Sequence, residues 1–114
     1  MAQRYHLTLA DPAQARGVDP TLSFRSVSAD GFAQELESAL RTPRLFEAWR
    51  AQQEEPDEVD AALGTIDPQA RVSGAQRDLK IDLVATTSIS GSVLRHRLRL
   101  LAGSGWALHD VTAA

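Results

Sequence analysis

The chain has 114 residues, of which 43% are hydrophobic and 24% charged, with a net charge of −3 and no cysteine. That size and apolar content fit one domain able to bury roughly 65% of its unfolded-chain surface, and they argue against wholesale disorder. The absence of cysteine excludes disulfides, thiolate metal sites and a cysteine nucleophile.

From Arg4 to Leu9, the residues Tyr5, Leu7 and Leu9 alternate with His6 and Thr8, which predicts a strand. The opening stretch MAQRYHLTLA has no continuous apolar core of the secretory type, so the expected location is cytoplasmic. Turn residues Asp11-Pro12, Gly17, Asp19 and Pro20 lead to a second strand expected over 22–27, where Leu22 and Phe24 alternate. Ser28 or Asp30 can cap a helix over about 29–41, because Phe32, Leu36, Ala39 and Leu40 follow a 3.6-residue repeat. Thr42-Pro43 starts another helix, over about 43–53, whose stripe of Leu45, Phe46 and Trp49 is expected to enter the core.

Residues 54–60, EEPDEVD, hold five carboxylates and open an acidic loop expected to reach about residue 70, with one capped helical turn at 61–64. A calcium-loop register begun at Asp57 puts Ala62 where glycine is required and Pro68 where a bidentate glutamate is required, so the segment reads as a solvated loop.

The last third reads as a three-stranded antiparallel meander over about 79–87, 93–102 and 106–112. In the first of these, Leu79, Ile81, Leu83 and Ala85 alternate with Lys80, Asp82, Val84 and Thr86. In the second, Leu94, His96, Leu98 and Leu100 alternate with Arg95, Arg97 and Arg99, and Gly103-Ser104-Gly105 supplies a hairpin loop. The register that keeps leucines on one face sets Leu100 opposite Leu108, Arg99 opposite His109, and Asp82 opposite Arg99. The expected fold is therefore a single α+β domain over residues 1–114: two N-terminal strands, two helices and the meander, with the helices packed on one face of the sheet. The segment LRHRLRLLAGSGWALHDV resembles the closing hairpin of cone-shaped folds of the cystatin and nuclear-transport-factor type. That resemblance implies a ligand-holding cone; it covers these residues alone and assigns no family.

Chemical motifs are sparse. The segment Gly103-Ser-Gly105-Trp-Ala-Leu108 departs from the dinucleotide fingerprint at its third glycine and precedes a strand, and no phosphate-loop GKS or GKT occurs. No serine has the glycine spacing of a nucleophile elbow. His6, His96 and His109 lack any local metal-ligand spacing, so neither a metal nor a cofactor is expected. No stretch approaches the roughly 20 apolar residues of a membrane span.

Charge is the distinctive feature. Residues 1–70 hold six basic and twelve acidic side chains, whereas 71–114 hold six and three. Such an imbalance can steer a charged partner. On the expected strand, Arg95, Arg97 and Arg99 form a basic row at roughly 7 Å spacing, joined by His109 on the neighbouring strand. Forked guanidinium hydrogen bonds suit an acidic protein surface or an anionic ligand. A pI near 5.5 and the lack of interleaved aromatics weigh against nucleic acid.

The expectation is a non-enzymatic binding or adaptor module for an acidic or anionic partner, bound through Arg95, Arg97, Arg99 and His109, in a monomer or homodimer. Eleven arginines against one lysine suggest a bacterial source. Two alternatives are a small-molecule carrier or small enzyme with a pocket between sheet and helices, into which His96 or Asp110 turns, and a nucleic-acid binder using the arginine face.

Overall fold

The computed structural model describes residues 2–114 and has an α+β architecture. In chain order the elements are β1 (Gln3–Leu9), α1 (Ala29–Arg41), α2 (Arg44–Arg50), β2 (Arg71–Arg77), β3 (Lys80–Thr87), α3 (Gly91–Ala102) and β4 (Ala107–Ala113). Short 3-10 turns occupy Pro12–Gln14, Pro56–Glu58 and Ala61–Gly64. The strands form one four-stranded sheet in the order β2-β3-β1-β4, every neighbouring pair antiparallel.

β1 follows its alternation. Tyr5, Leu7 and Leu9 face inward and pair with Ala85, Leu83 and Ile81 of β3, all of them buried. On the other side β1 pairs with β4, through a bulge that leaves His109 as the extra residue between Leu108 and Asp110. The sheet's inner face is covered by α1 and α3, whose Phe32, Leu36, Leu40, Leu94, Leu98 and Leu101 complete the core. Helices on one face of an antiparallel sheet are thus as the alternation implied.

α1 occupies the expected range, with the Ser28 hydroxyl accepting the Gly31 N–H at 3.0 Å as its cap. α2 is shorter than expected and buries only Phe46 fully, so Trp49 is half-exposed. The capped turn at 61–64 is present, with Asp60 accepting the Ala62 N–H at 2.9 Å.

Three expectations are corrected. Residues 22–27 are not a strand. Leu22 and Phe24 are buried, but the carbonyls of Phe24 and Ser26 are taken by the Arg16 guanidinium at 3.1 and 2.8 Å, a side chain standing where a neighbouring strand would. A strand absent from the expectation, β2, runs at 71–77. It is an edge strand with a mostly exposed, weakly apolar sequence, so it carries little alternation to read. Its backbone is held by α1, whose Glu37 carboxylate accepts the Val72 N–H at 3.0 Å, while Arg41 Nε donates to the Ala70 carbonyl at 2.6 Å.

The third correction is the largest: residues 93–102 lie in the helix α3, not in a meander strand. The buried set Val93, Leu94, Arg97, Leu98, Leu101 and Ala102 has helical spacing, which the alternating leucines also allowed. Topology chooses between the two patterns. β3 and β4 both run antiparallel to β1 from opposite sides, hence parallel to each other, and a connection between parallel strands needs a crossover element. α3 is that crossover. Ser90 caps its start, and Gly103 at φ 60° and ψ −118°, a backbone shape reserved for glycine, ends it. The 94–111 segment is therefore a helix, a turn and a strand, and the hairpin resemblance does not hold.

Candidate functional site

α3 distributes the three arginines differently from a strand. Residues four apart share a helix face, so Arg95 and Arg99 are both exposed, one turn from each other, while Arg97 turns inward. The continuous row of Arg95, Arg97 and Arg99 is not formed. Arg97 is 1% exposed and lies under the loop before β2. Its Nη1 donates to the Ala39 carbonyl at 3.2 Å and its Nη2 to the carbonyls of Leu63, at 3.0 Å, and Thr65. Burial pushes the Arg97 pKa down, and its Nε has no partner among the described residues.

His109 does not join these arginines either. It is exposed on β4, on the side of the sheet away from α3 and near the Asp82 carboxylate. Asp82 itself meets Arg77 at 2.7 Å and accepts the Thr8 hydroxyl at 2.7 Å, instead of facing Arg99. The Arg77 hydrogen bond, followed by that of Thr8, holds the Asp82 carboxyl below its ordinary value.

What α3 does assemble is a rim of one cation and two indoles. Arg99 lines a surface cavity of about 290 Å³ with Trp49, Leu22 and Asp19, and a second of about 590 Å³ with Trp106, Gly103 and Ser104. Val18, which is 99% exposed, lines both. A neighbouring cleft of about 350 Å³ between α1 and α2 carries Glu35, Thr42 and Arg44 and shares Leu22 with the first. Trp106 is positioned by its Nε1 donating to the Gly103 carbonyl at 3.0 Å. Trp49 packs edge-on against His96, ring centroids 4.5 Å apart.

Burial, with the positive charges of Arg97 and Arg99, pushes the His96 pKa below its ordinary value. Among the described residues, neither Arg95 nor Arg99 has a carboxylate within 4.0 Å, whereas Arg41, Arg50 and Arg77 each do.

The space between sheet and helices is filled by Tyr5, Leu7, Ile81, Leu83 and the inward residues of α1 and α3. His96 and Asp110, the polar groups considered for a pocket there, lie on different elements, and Asp110 is exposed on β4. Among the described residues no group of three histidine, aspartate or glutamate side chains is placed to hold a metal ion, and no helix is long and apolar enough to cross a membrane. The two tryptophans beside Arg99 were not part of the expected site. The signal was present in the i, i+4 spacing of Arg95 and Arg99 and the helical set Leu94, Leu98 and Leu101, which the strand pattern masked.

Compared with known proteins, the chain matches no family, no curated protein and no solved structure.

Proposed function

We propose that this chain is a non-enzymatic binding or adaptor module whose α3 face takes an acidic segment of a partner protein. The observation that carries this reading is Arg99, exposed, with no carboxylate within 4.0 Å among the described residues and flanked by cavities that hold Trp49 on one side and Trp106 on the other. Arg95, one turn away, extends the positive edge. A guanidinium with nearby aromatic surface suits a partner that presents a carboxylate next to an apolar side chain, since Trp, Tyr and Arg are the residue types that dominate binding energy at interfaces. His109 has no place in this surface.

The chain's two tryptophans both border Arg99, so their fluorescence reports occupancy directly. Titration with a tryptophan-free peptide of alternating Glu and Leu should shift the emission saturably. The double variant Arg95→Gln and Arg99→Gln should abolish the shift while circular dichroism melts stay unchanged. A titration curve identical in that variant would remove α3 as the binding face.

A further inference from the structure

The sheet's outer face, which no helix covers, places two arginines in one cross-strand row. Arg71 of β2 is the register partner of Thr86 in β3, Thr86 is the partner of Arg4 in β1, and Arg4 is the partner of Thr112 in β4. The inward turn of Tyr5, Ala70 and Ala85 sends Arg4, Arg71 and Thr86 outward together, and both arginines are exposed. With neighbouring strands about 4.8 Å apart, the two arginine backbones stand roughly 10 Å apart with the threonine hydroxyl between them.

The adjoining row reads Ser73, Val84, His6 and Asp110 across the same strands. His6 is oriented there by a 3.1 Å hydrogen bond between its Nε2 and the Thr112 hydroxyl. Among the described residues no carboxylate stands in the row itself, and Asp110 is a diagonal neighbour of Arg4. Asp82 lies four residues along β3 from Thr86 and is bound by Arg77 and Thr8, and Asp110 lies beyond His6 and accepts the Val111 N–H at 2.9 Å. Arg4 makes one 3.5 Å contact to the Ala113 carbonyl, and no carboxylate lies within 4.0 Å of Arg4 or Arg71 among the described residues. Arg4 and Arg71 flank Thr86 through their backbones, and the single 3.5 Å contact that draws the Arg4 guanidinium toward β4 is long enough to be exchanged for an anion over Thr86.

We infer that Arg71, Thr86 and Arg4 form a phosphate-binding site on the open sheet face, separate from α3. Each guanidinium offers a fork of donors to the oxygens of one tetrahedral anion, and the Thr86 hydroxyl donates from below. The Ser73 hydroxyl is one row away on β2. Among the described residues no Phe, Tyr or Trp stands on this face to stack a base, since Tyr5 is turned into the core with its hydroxyl donating to the Ile89 carbonyl at 2.9 Å. The group recognised is therefore the phosphate itself, either free or carried on a peptide side chain.

The test follows amide signals of the ¹⁵N-labelled chain during titration with sodium phosphate at pH 7.5, against sodium chloride at matched ionic strength. Phosphate should move the signals of Arg4, Arg71 and Thr86 saturably, and chloride should not. Arg71→Gln and Arg4→Gln should each weaken the affinity about tenfold or more, as expected for loss of a charge-assisted hydrogen bond. Thr86→Val, which keeps both charges, should weaken it by a smaller factor. The Arg95→Gln/Arg99→Gln variant should bind phosphate unchanged, which separates this site from the α3 reading. A phosphoserine peptide binding more tightly than phosphate, with its serine twin inactive, would identify a peptide-borne group; equal affinity would identify the free anion. Shifts reproduced by chloride, shifts confined to α3, or affinities unchanged in both Arg71→Gln and Arg4→Gln would overturn the site.

Discussion

The buried guanidinium of Arg97 reaches from α3 to the Ala39 carbonyl of α1 at 3.2 Å, and among the described residues no carboxylate lies within 4.0 Å of it. Its other nitrogen holds the carbonyls of Leu63 and Thr65, so one side chain ties two helices to the 3-10 turn at Ala61–Gly64. The charge is met by three peptide carbonyls in place of an ion partner, an arrangement that works only while each carbonyl stays in position.

Replacing Arg97 with methionine keeps much of the apolar stem but strands these carbonyls. The expected loss is about 2–4 kcal/mol of unfolding free energy, since each unsatisfied buried acceptor costs about 1–3 kcal/mol and some regain water. Lysine should be nearly as damaging, because it cannot span divergent acceptors with a planar fork. Urea unfolding followed by circular dichroism measures this, and a variant within 0.5 kcal/mol of the parent, roughly the scatter of an ordinary surface substitution, would show that Arg97 is not a tie.

His96 makes stability depend on pH. Burial first, then the charges of Arg97 and Arg99, lowers its folded pKa, while the unfolded chain titrates near its ordinary value of about 6.5. The unfolded state therefore takes up the proton first as pH falls. Stability from this group is present above about pH 6.5, declines as pH drops below it, and levels off once the folded pKa is passed. His96→Gln should flatten that part of the profile; an unchanged slope between pH 7 and 5.5 would refute the assignment.

Arg95 and Arg99 are like charges at i, i+4, a spacing that weakens a helix slightly. Arg95→Glu converts the repulsion into an attractive pair, so the variant should be more stable by about 0.3–0.8 kcal/mol at low salt, a difference that 1 M salt removes. It should also lose the acidic peptide. A gain in stability accompanied by loss of binding is the pattern expected of residues kept for a partner.

Gly74 sets how closely α1 approaches the sheet. A Cβ there would clash with the Ala29 carbonyl oxygen, a backbone atom at the first residue of the helix. Gly74→Ala should therefore cost about 1–3 kcal/mol by displacing the helix N-terminus, despite the exposed sequence around it. A thermal melt equal to the parent's would mean that α1 shifts freely at that end.

How much was legible follows from which residues carry unambiguous patterns. Tyr5, Leu7 and Leu9, and likewise Ile81, Leu83 and Ala85, alternate because one face of each strand is covered, so β1 and β3 were readable. Phe32, Leu36 and Leu40 on α1, with Ser28 as cap, were readable for the same reason at helical period. β2 was not, since Arg71–Arg77 lies at the edge with little apolar surface to bury, and its pairing partner supplies most of its order. The α3 segment was readable in two ways at once: Leu94 and Leu98 satisfy both periods, Leu100 favoured the strand, and Leu101 favoured the helix.

The sequence alone determined the class, the inward faces of β1, β3 and α1, the acidic loop and the absence of any cysteine chemistry, because these depend on composition and on local period. The tertiary structure decided the partners. β1 lies between β3 and β4, so the link between them must cross over, and that topology makes residues 91–102 a helix. The helix in turn separates Arg97 from Arg95 and Arg99, and the strand register aligns Arg4 with Arg71 across Thr86, although they are far apart in sequence. Side-chain period is a local property, whereas the company a side chain keeps is set by contacts between distant segments, and the local pattern does not encode those contacts.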